Sequence, residues 1–310
     1  MNLLDQPWYI GLAPMLGWLL DAVVRSGPLD GVVDRAVARL AARLEFAIRT
    51  GLRDQLSQGG AILTLWLGGS AAVVAWGLMA VGIVLGGPVG RFVATTLIFF
   101  LILDSRSRAS DALSIERLLR EGRDEEAAGR LTALGNPPPE DTAPAIAGAG
   151  VLSVSDGLLL RVLVPMLWGL ALGPIGGAFA YGVVAVSLQR LRSTEEDQGL
   201  WHWPDQALDA LCWPVAWLAA LSLQLVAPIA GLRRGDVFNG FIHRPGLRPH
   251  ERLRAAFVGG FRFGEDVGGP RDGAEPTPGD LQRAVVLLWT SSFVLLALGT
   301  ALRCGALDLL

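Results

Sequence analysis

Three stretches of the chain are apolar for long enough to cross a bilayer. Residues 61–85 and 284–302 carry no charge, and 207–232 carry only Asp209, near the start. About 20 such residues cross roughly 30 Å of hydrocarbon as a helix, so all three predict membrane spans. Two further stretches are apolar but broken. Residues 92–103 follow the string Gly86-Gly87-Pro88-Val89-Gly90. They predict a tilted span running on into 104–119, or a segment that dips in and returns. Residues 162–191 carry Gly173-Pro174-Ile175-Gly176-Gly177 at their middle. They predict one kinked helix, or two half-helices that turn inside the membrane, as discontinuous helices do around substrate sites.

The polar stretches have patterns of their own. In 31–56, Val33, Val37, Leu40, Leu44 and Ile48 recur at helical spacing among Arg35, Arg39, Arg43, Arg49 and Arg53. This predicts a basic amphipathic helix, laid on an anionic membrane surface or packed against neighbouring spans. Residues 104–135 mix acidic and basic side chains, which predicts a solvated charged helix, ended by Pro137-Pro138-Pro139. Residues 233–283 are rich in Gly, Pro and Arg and read as loop. Thr277-Pro278-Gly279-Asp280 is a helix start for the last span.

The chain is therefore expected to be all-α and polytopic, with about four to five transmembrane helices, or with one re-entrant hairpin among them where 162–191 does not span. It divides into an amphipathic segment (1–60), first membrane helices (61–103), a charged helix and Pro-rich linker (104–157), a membrane core with the Gly/Pro break (158–232), an Arg-rich loop (233–283) and a last span (284–310).

Composition agrees with the hydropathy pattern. Apolar residues make up 52% and charged residues 18%, against about 25% charged in soluble domains. Mean hydropathy is +0.45. The net charge of −3 argues against a nucleic-acid partner. All 26 basic residues are Arg, which excludes a Walker-A lysine, a lysine Schiff base and a lysine nucleophile. Arginine also orients the chain. Segment 1–60 carries six, 104–157 six and 233–283 nine, whereas 192–206 carries only Arg192. The positive-inside rule places the first three segments, and the N terminus, in the cytoplasm. Residues 1–20 lack a basic n-region and a small-residue cleavage site, so no cleaved signal peptide is predicted.

Cys212 and Cys304 cannot build a disulfide framework or a cysteine zinc site, and His202, His243 and His250 are far apart in sequence. No metal site is predicted. G-x-S-x-G, HExxH, CxxC and Rossmann glycine patterns are absent. Trp201-His202-Trp203 reads as an aromatic anchor at a membrane–water interface more readily than as a ligand site.

Several strings, in order, resemble the CobD/CbiB family of cobalamin biosynthesis, the adenosylcobinamide-phosphate synthases. Leu152-Ser153-Val154-Ser155-Asp156-Gly157 falls where that family has E-S-V-A-E-N. Pro165-Met166-Leu167-Trp168, with Gly173-Pro174-Ile175-Gly176-Gly177-Ala178-Phe179-Ala180-Tyr181, is similar to its P-L-F-Y…G-x-P-G-A-L-A-Y. Trp203 through Leu221, with Leu208-Asp209 and Trp213-Pro214, is similar to G-W…R-L-D-D…W-V-P. Gly269-Pro270-Arg271 and Pro278-Gly279-Asp280-Leu281-Gln282-Arg283-Ala284 are similar to G-G-P-R…P-x-D-I-R-R-A. AmpE is the related second resemblance. The departures fall on polar positions. The first Glu is Leu152, the second is Asp156 and the Asn is Gly157. The family's Lys after the Tyr is Gly182, and the second Asp of L-D-D is Ala210.

The resemblance implies a multi-pass protein of the bacterial inner membrane in contact with lipid. It implies ATP- and magnesium-dependent amide formation between a corrinoid carboxylate and aminopropanol or its phosphate. In that reading Asp156, Asp209 and Ser153 are the catalytic candidates. Arg271, the arginine cluster 233–254 (Arg233 and Arg234 foremost) and Trp203 bind substrate phosphate. The loss of ionisable motif positions supports an alternative: a non-catalytic homologue on the same scaffold, acting as an AmpE-like signalling modulator or as the partner subunit of a membrane protein assembly.

Overall fold

The computed structural model describes residues 8–23, 32–51, 56–190, 198–232, 236–237, 241–242, 247–263 and 274–308. The described chain is all-α, with one isolated bridge between Phe263 and Ala274. Four helical stretches are long and apolar enough to cross a membrane: Gln58–Arg120, Ala143–Leu172, Leu200–Ala230 and Pro278–Leu302. This is a multi-pass helical membrane protein. The helices are α1 (Trp8–Val23), α2 (Val32–Gly51), α3 (Leu56–Ile102), α4 (Ser105–Arg120), α5 (Asp124–Ala133), α6 (Ala143–Asp156), α7 (Val164–Leu172), α8 (Pro174–Arg190), α9 (Gln198–Val226), α10 (Pro249–Phe261) and α11 (Pro278–Asp308).

The chain forms two compact units. The first comprises Met1–Asp104, Arg161–Leu211 and Leu296–Leu310. Within it α3 is two arms joined at Gly87, whose φ of 56° and ψ of −133° are not helical. Residues eight apart on a straight helix lie about 12 Å apart. Yet a methyl group built on Gly90 would sit 1.9 Å from the Gly82 carbonyl oxygen. The arms therefore fold back on each other, and the glycine string 86–90 is the turn between them. The return arm is about 22 Å long at 1.5 Å per residue and ends before Leu103–Asp104, where the helix breaks again. The second break, at 173–177, resolves as two half-helices. Gly173 turns the chain at φ 81°, and α8 returns along α7 so closely that a methyl on Gly177 would lie 2.8 Å from the Pro165 carbonyl oxygen.

Small residues set the approach of α8 to α3. A methyl on Gly182 would lie 2.6 Å from the Leu67 carbonyl oxygen, and one on Gly68 would meet the Phe179 ring at 2.8 Å. Membrane helices associate through such close approaches, because lipid offers no hydrophobic drive to bring them together. The amphipathic helix α2 packs its apolar face into this unit: Ala41 and Ile48 join Leu63, Leu67, Val186, Leu200 and Trp201 in one buried cluster. Its Arg35, Arg39 and Arg43 remain exposed. Of the two placements open to 31–56, the described residues adopt packing on neighbouring helices.

The second unit comprises Ser105–Leu160 and Cys212–Leu295. The charged stretch 104–135 is two helices rather than one, turned at Gly122 with φ 71°. α4 and α5 pack together and on α6, and Arg130 of α5 pairs with Asp111 of α4 at 3.3 Å. The loop expected over 233–283 contains α10, started by Pro249 and by Glu251, whose carboxylate accepts the Arg248 backbone N–H at 2.9 Å. α11 starts as its sequence predicts: Asp280 accepts both the backbone N–H and the hydroxyl of Thr277 at 2.8 Å.

Residues 143–156 were expected to be part of a linker. They form a helix that continues through a π-helical turn, Gly157–Leu163, into α7.

Candidate functional site

The polar residues singled out near position 156 lie on α6, in the second unit. Asp156 and Ser153 are one turn apart and share a face. The Ser153 hydroxyl accepts a hydrogen bond from the Asn136 amide at 3.1 Å. Asn136 reaches it because Gly135, at φ 87°, turns the chain beyond α5 and sends the Asn136 N–H back to the Leu131 carbonyl.

Asp156 is held by Arg254 of α10, 98 residues away in sequence. The guanidinium Nε–H donates to one carboxylate oxygen at 2.7 Å and an Nη donates to the other. Two parallel charge-assisted bonds fix both partners in orientation as well as distance. The bonds to Asp156 hold the Arg254 guanidinium above its already high ordinary pKa. A raised pKa stabilises the fold at all pH below it, so no practical alkaline pH breaks the pair by deprotonating the arginine. The Asp156 side chain is 17% exposed and that of Arg254 38%, so this is a partly buried pair.

The residues around the fork complete its setting. The Arg108 side chain of α4 lies across Gly157: a methyl there would stand 3.1 Å from the Arg108 Cγ and Cδ. An asparagine, as in the family string, would displace it. Ser155 is fully buried, and its hydroxyl has no hydrogen-bond partner among the described residues. Asp156 does not cap a helix starting at Leu158. Helix runs through it instead, and its carboxylate is on Arg254.

The other candidates lie elsewhere. Asp209 is on α9 in the first unit, half-buried and engaged in an interaction of its own. Trp203 is 50% exposed and Trp201 is buried; with His202 they fall in the first turn of the span Leu200–Ala230, where an interfacial aromatic anchor belongs. The His202 ring meets the Gln206 amide of the next turn at 3.2 Å. Arg233, Arg234, Arg271 and His243 lie outside the described residues.

Gly182, where the resembled family carries a lysine, sits at the α3–α8 crossing, where backbone occupies the place of a side chain.

The described residues offer no built magnesium site. No three His, Cys, Asp or Glu side chains among the described residues are grouped to hold a metal, and Arg254 takes both Asp156 oxygens.

Sequence reasoning missed Asn136 and Arg108, and placed Arg254 only within a phosphate-binding cluster. The one signal for Asn136 was its position after a helix-ending glycine. Comparison of the chain with known protein families, with curated proteins and with solved structures yields no match in any of the three.

Proposed function

We propose that this multi-pass helical membrane protein uses a CobD/CbiB-like scaffold without the amide-ligase chemistry, and serves as a partner subunit in a membrane protein assembly. The observation that carries this reading is the Asp156–Arg254 fork. A carboxylate that binds a metal or moves a proton does so through a lone pair not already engaged, and Arg254 occupies one on each Asp156 oxygen and neutralises the charge that would draw a cation. The glycine at 182 supports it, since an ammonium group cannot be placed there without separating α3 from α8. The arginine-rich segments support a bacterial inner-membrane orientation with the N terminus in the cytoplasm.

The test offers purified full-length protein cobyric acid, aminopropanol phosphate and MgATP, with amide product sought by mass spectrometry. The reading expects no product, and recovery of a membrane protein bound to the chain. Turnover that is lost in both Asp156→Ala and Asp209→Ala would overturn it and restore the corrinoid ligase, with magnesium and ATP as its cofactors.

A further inference from the structure

α2 buries one face and exposes another of different chemistry. Val37, Ala41, Leu44 and Ile48 pack inward. On the other side Arg35, Arg39 and Arg43, one helical turn apart, are all exposed. Phe46, three residues beyond Arg43, falls in the same stripe and is 71% exposed. Glu45 is turned to the buried side and pairs with Arg49. Arg35, Arg39 and Arg43 make no ion pair among the described residues. The stripe therefore carries three positive charges around one aromatic ring.

The fold puts this helix where spans enter the membrane. Its apolar face rests on Leu63 and Leu67 of α3 and on Leu200 and Trp201 of α9. Those two spans start at Gln58 and Leu200, and the starts lie side by side. A methyl on Gly60 would collide with the Leu200 carbonyl oxygen, and one on Gly59 with the Ile48 side chain of α2. The ends of a span lie at the level of the lipid headgroups, which flank about 30 Å of hydrocarbon. Trp203, half-exposed in the first turn of the second span, marks the same level. Headgroups are the medium there, and they suit both parts of the stripe. Guanidinium forks bind phosphate oxygens in pairs, and an exposed ring among them reaches the top of the hydrocarbon. Water alone would satisfy the arginines and leave the ring in the wrong solvent.

We propose that the face formed by Arg35, Arg39, Arg43 and Phe46 binds the headgroup phosphates of anionic phospholipids and enriches those lipids beside the entry of α3. Zwitterionic phospholipids carry the same phosphate but cancel it with an ammonium group. The preference is therefore for net negative charge, and salt weakens it.

The test reconstitutes the full chain in dioleoylphosphatidylcholine vesicles carrying, in parallel, phosphatidylglycerol or phosphatidylcholine with the same diazirine near the glycerol. After illumination, labelled peptides are mapped. At low salt, phosphatidylglycerol should label 35–46 at least about fivefold more than phosphatidylcholine, the effect of one arginine at an anionic surface. High salt should shrink that ratio. Around exposed Val73, further along α3, the two lipids should label alike. Replacing the three arginines together by glutamine (Arg35→Gln, Arg39→Gln, Arg43→Gln) should abolish the preference. Replacing them by lysine should keep most of it. All six replacements lie on the exposed face and leave the buried cluster intact. Equal labelling by the two lipids, a preference that survives the glutamine variant or is lost in the lysine variant, or cross-linking of 35–46 to an acidic polypeptide in native membranes would each overturn the proposal.

Discussion

The α3–α8 crossing and the α6–α10 contact join helices by opposite means. At the crossing, Gly68 and Gly182 remove side chains so that backbone meets Leu67 and the Phe179 ring. At the contact, Asp156 and Arg254 reach across with two charged bonds, and Asn136 reaches Ser153 with a neutral one. Both places coincide with polar positions of the family the chain resembles. At the first this chain has a glycine where the resembled string has a lysine, and at the second it has an acid that is paired with an arginine. A carboxylate at a motif position is therefore not evidence of chemistry until its partner is known.

The largest expected effect is at the crossing. Gly182→Lys should prevent stable accumulation in the membrane, because a long charged side chain would have to enter a crossing where even a Cβ meets backbone. Gly182→Ala should cost about 1–3 kcal/mol by overpacking. Gly69→Ala is the control. It is on the same arm with nothing within 4 Å, and should be neutral or stabilise by up to about 1 kcal/mol. Thermal unfolding in detergent reads all three. If Gly182→Ala and Gly69→Ala behave alike, the close-approach account fails.

At the polar contact, Asp156→Ala should cost about 1–3 kcal/mol, less than a fully buried pair because Arg254 is partly exposed. Proteolysis should detect the loosening as earlier cutting within Pro249–Phe261. Asp280→Ala removes the bonds to Thr277 that start α11 and should cost about 1 kcal/mol. Asn136→Ala should cost about 0.5–1.5 kcal/mol. The smallest effect is expected at Arg123, which pairs with Glu121 and Glu126 at the exposed turn between α4 and α5. Its replacement by Ala should leave the unfolding temperature unchanged at physiological salt, where such pairs are screened.

The spans at 61–85, 207–232 and 284–302 were legible because uninterrupted hydrocarbon has one cheap solution in a bilayer, and both glycine-proline breaks proved to be turns. Of the helix through 143–172 only the part from 162 was legible, although 78% of its apolar window is buried. Asp156 and Arg161 interrupt its apolar run, and a scan for unbroken hydrophobicity stops at each. What compensates Asp156 comes from α10, beyond the reach of any local pattern. α10 itself was hidden because its neighbours' Gly and Pro outweighed Pro249-His250-Glu251, a helix start, in the reading of 233–283 as loop. The site was legible as a position on the chain but not as an environment. Ser153 and Asp156 were named, while the partners that define them lie 17 and 98 residues away.

A double-mutant cycle of Asp156→Asn and Arg254→Gln, read by unfolding of the full chain in detergent, tests most directly whether Asp156 serves the fold. A structural fork predicts that the double variant loses at least about 1 kcal/mol less than the sum of the two single variants. Losses that add to within about 0.3 kcal/mol would show that the two side chains act independently, and would contradict the account.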